Sequence, residues 1–176
     1  MLVSVLDARA LGTRILEGCG VPEGHAAAQV DLLVEAELRG RASHGLLRLG
    51  RIVERIRNGV THPTATGRHE WKGLAFLEVD GEMGLGPVVA LAALSEICAR
   101  ARETGVAVAA VSNNNHLGML SWYVERVAAD GQVAIALTTS EALVHPWGGR
   151  KAMVGTNPIA IGVPAEPRPF VLDAAT

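Results

Sequence analysis

The stretch "VAVAAVSNNNHLGMLSWYVERVAADGQVAIALTTS", residues 106–140, decides the fold class. Val106–Ser112 is a short apolar run rich in valine, which predicts a buried strand. Leu120–Asp130 carries apolar residues at helical spacing and predicts a helix, stopped by Gly131. Val133–Ser140 reads as a second buried strand. Strand, helix and strand with short connections form a βαβ-like unit, so parallel neighbours joined by a right-handed crossover are expected. The polar cluster Asn113–His116 then follows the carboxyl end of a strand and precedes a helix, where open α/β sheets bind ligands. Thr139 and Ser140 hold the equivalent place after the second strand. Asparagine also suits plain turns, because it tolerates left-handed backbone and bonds its own main chain.

Working outward from this stretch, residues 6–18 and 26–39 show apolar residues at three-to-four spacing on either side of "GCGVPEG", predicting two helices joined by a Gly/Pro turn. Leu49, Ile52, Val53 and Ile56 mark a third helix ending at Asn58-Gly59. "RASHGLLR", residues 41–48, therefore lies in a joint between helices. Residues 74–79 read as a strand, "EMGLGP" as a loop and residues 88–104 as a long helix ended by Gly105. The expectation is an α/β protein. A helical segment carrying the SHG motif spans residues 1–72, and a mixed α/β sheet domain spans residues 73–176.

Composition narrows the function classes. At 176 residues the chain can build a real core. Hydrophobic residues make up 49% and mean hydropathy is +0.26, yet no apolar run approaches the roughly 20 residues of a membrane span. The start, "MLVSVLDARALG", lacks the basic and apolar regions of a signal peptide. A cytoplasmic protein with no membrane role is expected. A net charge of −2 gives no global pull toward nucleic acid. Arg39, Arg41, Arg48, Arg51, Arg55 and Arg57 crowd one short segment and read as a solvated face, from which Arg48 stands apart because it follows His44 by four residues. Cys19 and Cys98 sit among apolar neighbours without CxxC spacing and read as buried free thiols.

The glycines of "GEMGLGPVV" (81, 84 and 86) fall in the wrong order for a dinucleotide fingerprint, so a Rossmann site is not supported. The six histidines lack metal-ligand pairing, and no metal is expected. What remains suits acid–base work on a small acid. His116 follows Asn115, an amide able to orient it or the substrate, and His44 has the hydroxyl of Ser43 beside it and the Arg48 guanidinium close by. Taken singly, either histidine fits a structural role as well.

The segments "LRGRASHGLLRL", "VDGEMGLG", "NNNHLG", "PWGGRKAMVGTNPIAIGVP" and "FVLDAAT" resemble, in order and spacing, the malate/L-lactate dehydrogenase-like NAD(P)-dependent oxidoreductases. That group includes ureidoglycolate, sulfolactate and malate dehydrogenases, diketogulonate reductase and cyclic-imine carboxylate reductases. The resemblance runs from about residue 6 to 176. It implies that family's own cofactor-binding fold, which is not a Rossmann fold, and hydride transfer between NAD or NADP and a small 2-hydroxy, 2-keto or imino acid. Ser43-His44-Gly45 matches the family's SHG motif, with Arg48 as the arginine that holds the substrate carboxylate. Asn115-His116-Leu117-Gly118 matches its NHxG motif, with His116 as proton acceptor, a duty given to the first histidine in some members. Cofactor contacts are implied at Ser140 and at Asp173, Ala174, Ala175 and Thr176, with "PWGG" and "GTNP" shaping the pocket.

The chain departs from the family pattern at Gly50 and Ile52, where proline and tyrosine are usual, at Pro87, usually glutamine, and at Thr138-Thr139-Ser140-Glu141, usually TNSP. Family members are also considerably longer, and this sequence stops inside the cofactor motif at Thr176. The sheet domain is therefore expected to be incomplete at its C-terminal end. A second chain supplying the rest, a homo-oligomer, or both are expected partners. Two other readings stand beside the dehydrogenase: one chain of a cleaved enzyme whose new amino-terminal serine makes it an N-terminal-nucleophile hydrolase or acyltransferase, and a non-catalytic partner subunit.

Overall fold

A computed structural model describes residues 3–175. The chain divides into two compact units, Met1–Gly118 and Met119–Thr176. The change from helix to strand near residue 72 falls inside the first unit.

The first unit opens with α1 (Val5–Glu17), whose N-cap Ser4 hydroxyl accepts a hydrogen bond from the Asp7 N–H at 3.1 Å. Gly20, at φ +82°, turns the chain into α2 (Glu23–Leu38). Two 3-10 turns, Ala42–His44 and Leu46–Arg48, lead into α3 (Leu49–Arg57). The predicted helix-to-helix joint at "SHG" is thus a pair of tight turns. Leu16, Val21, Ala26, Val30, Val34, Leu85 and Val88 form a buried core here, and Leu49, Ile52, Val53 and Ile56 pack on it from α3.

Strands β1 (Arg68–Trp71), β2 (Phe76–Asp80) and β3 (Val108–Ser112) form a sheet in that order, with β1 antiparallel and β3 parallel to β2. The helix α4 (Gly86–Thr104) makes the crossover between β2 and β3 and ends at Gly105, φ +83°. Leu77 and Val79 of β2 and Val89 and Ala93 of α4 bury the shared face.

The second unit holds α5 (Ser121–Ala129), β4 (Ala134–Leu137), β5 (Ile159–Val163) and β6 (Phe170–Ala174), the strands paired antiparallel in the order β4-β5-β6. Its helix lies close on the sheet, since a Cβ at Gly162 would stand 2.3 Å from the Val124 carbonyl oxygen.

This topology corrects the expected βαβ unit. β3 and β4 are not neighbours. They lie in different sheets, and the parallel pair is β2 and β3, joined through α4. Two apolar runs flanking a helix specify strands, but their pairing depends on partners elsewhere in the chain, and β4 takes the distant β5. Neither strand is buried on both faces, as Val108 is 54% exposed and Leu137 70%. Cys19 and Cys98 are half-buried, not fully buried. Among the described residues no helix is long and apolar enough to cross a membrane.

Candidate active site

Both predicted histidines belong to the first unit, and the fold brings them together. Their ring centroids are 5.5 Å apart, with planes tilted by 33°. His44 sits in the first 3-10 turn. Its Nδ1 lies 3.0 Å from the Ser43 hydroxyl, and the Ser43 carbonyl oxygen accepts a bond from Arg48 Nε at 2.6 Å. Ser43 therefore links the imidazole to the guanidinium, and three of the sequence-selected residues form one cluster. Glu37, at the end of α2, holds this turn by accepting the Leu46 N–H at 2.9 Å. A Cβ at Gly45 would fall 2.5 Å from its Oε1, so the glycine of the SHG motif leaves room for the carboxylate.

His116 reaches the cluster from the loop after β3. Its Nδ1 accepts the backbone N–H of Gly118 at 3.1 Å. With Nδ1 an acceptor, the neutral ring carries its proton on Nε2. Desolvation in its crowded surroundings, followed by the positive charges of Arg48, His44 and Arg51, pushes its pKa from 6.5 down to about 4. The residue as a whole is nonetheless exposed. Water on its open side screens those charges in part, and the ring stays neutral at physiological pH.

The asparagines do three different jobs. Asn113 takes φ +49° and donates through Nδ2 to Asp80 Oδ1 at 3.1 Å. Asn114 has a buried Oδ1 without a hydrogen-bond partner among the described residues. Asn115 accepts at Oδ1 from Arg55 Nε (3.1 Å) and Nη2 (2.8 Å), and its Nδ2 donates to the carbonyls of Met83 (2.6 Å) and Gly84 (2.9 Å). It supports the loop from behind and does not bond the imidazole. The "VDGEMGLG" and "NNNHLG" motifs are thus packed on one another. Gly86 permits this, because a Cβ there would lie 2.1 Å from the His116 carbonyl oxygen.

Gly118 is similarly constrained. It takes φ +73°, and a Cβ would stand 2.4 Å from Leu32 Cδ2. Gly118→Ala should destabilise the chain by about 2–4 kcal/mol, combining the left-handed backbone cost with overpacking against Leu32. Denaturant unfolding checks this, and an unchanged midpoint would show that the loop relaxes without strain.

The residues selected as cofactor contacts lie in the second unit. The Ser140 hydroxyl accepts the Thr156 N–H at 2.9 Å and approaches the Thr156 hydroxyl at 3.3 Å. Gly155 allows this knot, with a Cβ position only 2.4 Å from the Ser140 carbonyl oxygen. Asp173 Oδ2 accepts the Ser121 N–H at 2.8 Å, placing its negative charge at the amino end of α5. Asp173, Ala174 and Ala175 are exposed along and just beyond β6, and Thr176 lies outside the described residues.

A family model described as malate/L-lactate dehydrogenase matches residues 3–176. The chain belongs to the malate/L-lactate dehydrogenase family. The malate dehydrogenase of Pyrococcus horikoshii is 39% identical over 163 residues, covering 93% of this chain and 45% of that protein. The (2R)-3-sulfolactate dehydrogenase (NADP(+)) of Chromohalobacter salexigens is 34% identical over 173 residues, 98% of this chain and 52% of that one. A crystal structure of a dehydrogenase from Sinorhizobium meliloti matches at 50% identity with a TM-score of 0.97, covering 100% of this chain and 52% of that one. The chain spans about half the length of the relatives it matches.

Within this malate/L-lactate dehydrogenase fold, sequence reasoning missed Glu37 and Arg55. Arg55, expected on a solvated arginine face, is half-buried against Asn115. No local signal marks it, since its partner Asn115 lies 60 positions away.

Proposed function

We propose that this chain carries the proton-transfer machinery of an oxidoreductase that exchanges hydride between NAD or NADP and a small 2-hydroxy, 2-keto or imino acid. The observation that carries this reading is the pair of imidazoles 5.5 Å apart, beside an arginine tied to the same turn. NAD(P), when bound, supplies the hydride acceptor or donor. The residues proposed to hold it are Ser140, Asp173, Ala174, Ala175 and Thr176. The fit is to a group met by exposed main chain and surface shape, because the Ser140 and Asp173 side chains are already engaged on backbone N–H groups.

The two histidines divide the work. An imidazole whose Nδ1 accepts the Gly118 N–H and whose Nε2 holds the proton has no basic nitrogen to offer. His116 is therefore assigned as a neutral hydrogen-bond donor to the substrate oxygen, and His44 as the group that takes the hydroxyl proton in oxidation and returns it in reduction. Ser43 orients His44 through its Nδ1. This reverses the role the family resemblance suggested for His116. As the α-carbon loses hydride with its electron pair, the oxygen loses its proton to His44 and a C=O bond forms.

Arg48 is assigned to the substrate carboxylate. Its Nε is committed to the Ser43 carbonyl, which aims the terminal nitrogens. Arg48→Lys keeps the charge and loses the fork, so KM for the acid should rise about 10- to 100-fold, the worth of one charge-assisted hydrogen bond, with cofactor affinity unchanged. Equal losses for acid and cofactor in parallel titrations would remove Arg48 from the substrate site.

The working assembly is proposed to include polypeptide beyond these residues, as a further segment, a second chain or a second copy. The matched relatives are about twice as long. Among the described residues the outer edges of β1, β3, β4 and β6 also have no strand partner, and such edges recruit other chains.

A further inference from the structure

We propose that Arg55 and Asn115 form a positioning pair that holds His116 in register with the His44–Arg48 turn. An asparagine amide has two acceptor directions and two donor hydrogens. All four are filled in Asn115: two by one edge of the Arg55 guanidinium, two by the Met83 and Gly84 carbonyls. The side chain has nothing left for a substrate. It acts through the residue that follows it.

The partners come from three places in the chain. Arg55 is on α3, the helix that begins right after Arg48, and Met83 and Gly84 are in the loop before α4. The amide fastens the loop bearing His116 to both. Without the Arg55 bonds, the loop bearing His116 would keep its ties to the loop before α4, through Asn115 Nδ2 and the 3.4 Å bond from the Asn115 N–H to the Gly84 carbonyl, but would lose this tie to α3. Arg55 and Asn115 are half-buried, and a two-pronged donor fixes direction as well as distance, which a lysine cannot do.

The inference rests on His116 being a site residue, and its test separates the two claims. Nitrogen-15 NMR of the imidazoles in the full chain reads the protonated ring nitrogen directly, with His116→Gln identifying the His116 signals. The wild type should hold His116 as the single Nε2–H form at neutral pH. Arg55→Met and Asn115→Leu should each give a mixture of tautomers and lower turnover of 2-hydroxy acid about 10- to 100-fold, the scale expected for a displaced reacting group, with the cofactor KM unchanged. The double variant should be no worse than the poorer single one, since both break the same link. Arg55→Lys keeps the charge and should recover part of the loss. If the His116 tautomer is unchanged in Arg55→Met while only the melting temperature falls, Arg55 is structural and the proposal is overturned. If the tautomer responds in both variants but His116→Ala turns over normally, the positioning holds and the reading of His116 as a site residue fails.

Discussion

His44→Ala should lower kcat for oxidation of a 2-hydroxy acid about 10²- to 10⁴-fold in the proposed working assembly, the usual worth of a positioned general base. The loss falls on the chemical step, so cofactor affinity should not change. His44 is singled out over His116 by hydrogen bonding. The partner of its Nδ1 is a hydroxyl, which can accept as well as donate, so the ring can present an unprotonated Nε2. The partner of His116 Nδ1 is a backbone N–H, which can only donate. Single-turnover kinetics check the prediction. A His44→Ala enzyme with wild-type hydride-transfer rate would show that the proton goes elsewhere.

His116→Ala should cost about 10²- to 10³-fold in kcat, the scale for losing one preorganised donor to an oxygen that gathers charge. His116→Gln should recover much of this, because a carboxamide can donate the same hydrogen bond without holding a labile proton. The same variant has a stability signature. In the folded chain the His116 pKa is pushed down to about 4, below its ordinary 6.5. Between those values the unfolded chain binds a proton that the folded chain does not. Stability should therefore rise with pH across that window and be lost as pH falls through it. His116→Gln should have a shallower slope between pH 4 and 6.5 in thermal unfolding series. Identical slopes for variant and wild type would mean that His116 titrates normally in the fold.

The helices were legible because their signals are local. α1, α2, α3 and α5 follow from three-to-four apolar spacing, and α4 ends at Gly105 as expected. β1 was not, since "RHEW" carries three polar residues and is a strand through its pairing with β2. β5 and β6 lie in long stretches punctuated by Gly and Pro, and only their pairing, β5 with β4 and β6 with β5, defines them. The site divides in the same way. His44, Ser43, Arg48 and His116 could be picked out by residue type and motif, whereas Arg55 touches Asn115 across 60 positions of sequence and Glu37 supports the SHG turn from the preceding helix. Adjacency in sequence suggests contact between Asn115 and the imidazole of His116. The backbone turns its amide the other way, toward Met83 and Gly84.

The pH dependence of kcat/KM for 2-hydroxy acid oxidation, measured for the wild type, His44→Gln and His116→Gln, tests the division of labour most directly, because such a profile reports the ionisations that the free enzyme needs. The rate should rise with pH through one ionisation in the wild type and in His116→Gln, and stay flat and low in His44→Gln. Loss of that ionisation in His116→Gln and its retention in His44→Gln would make His116 the base.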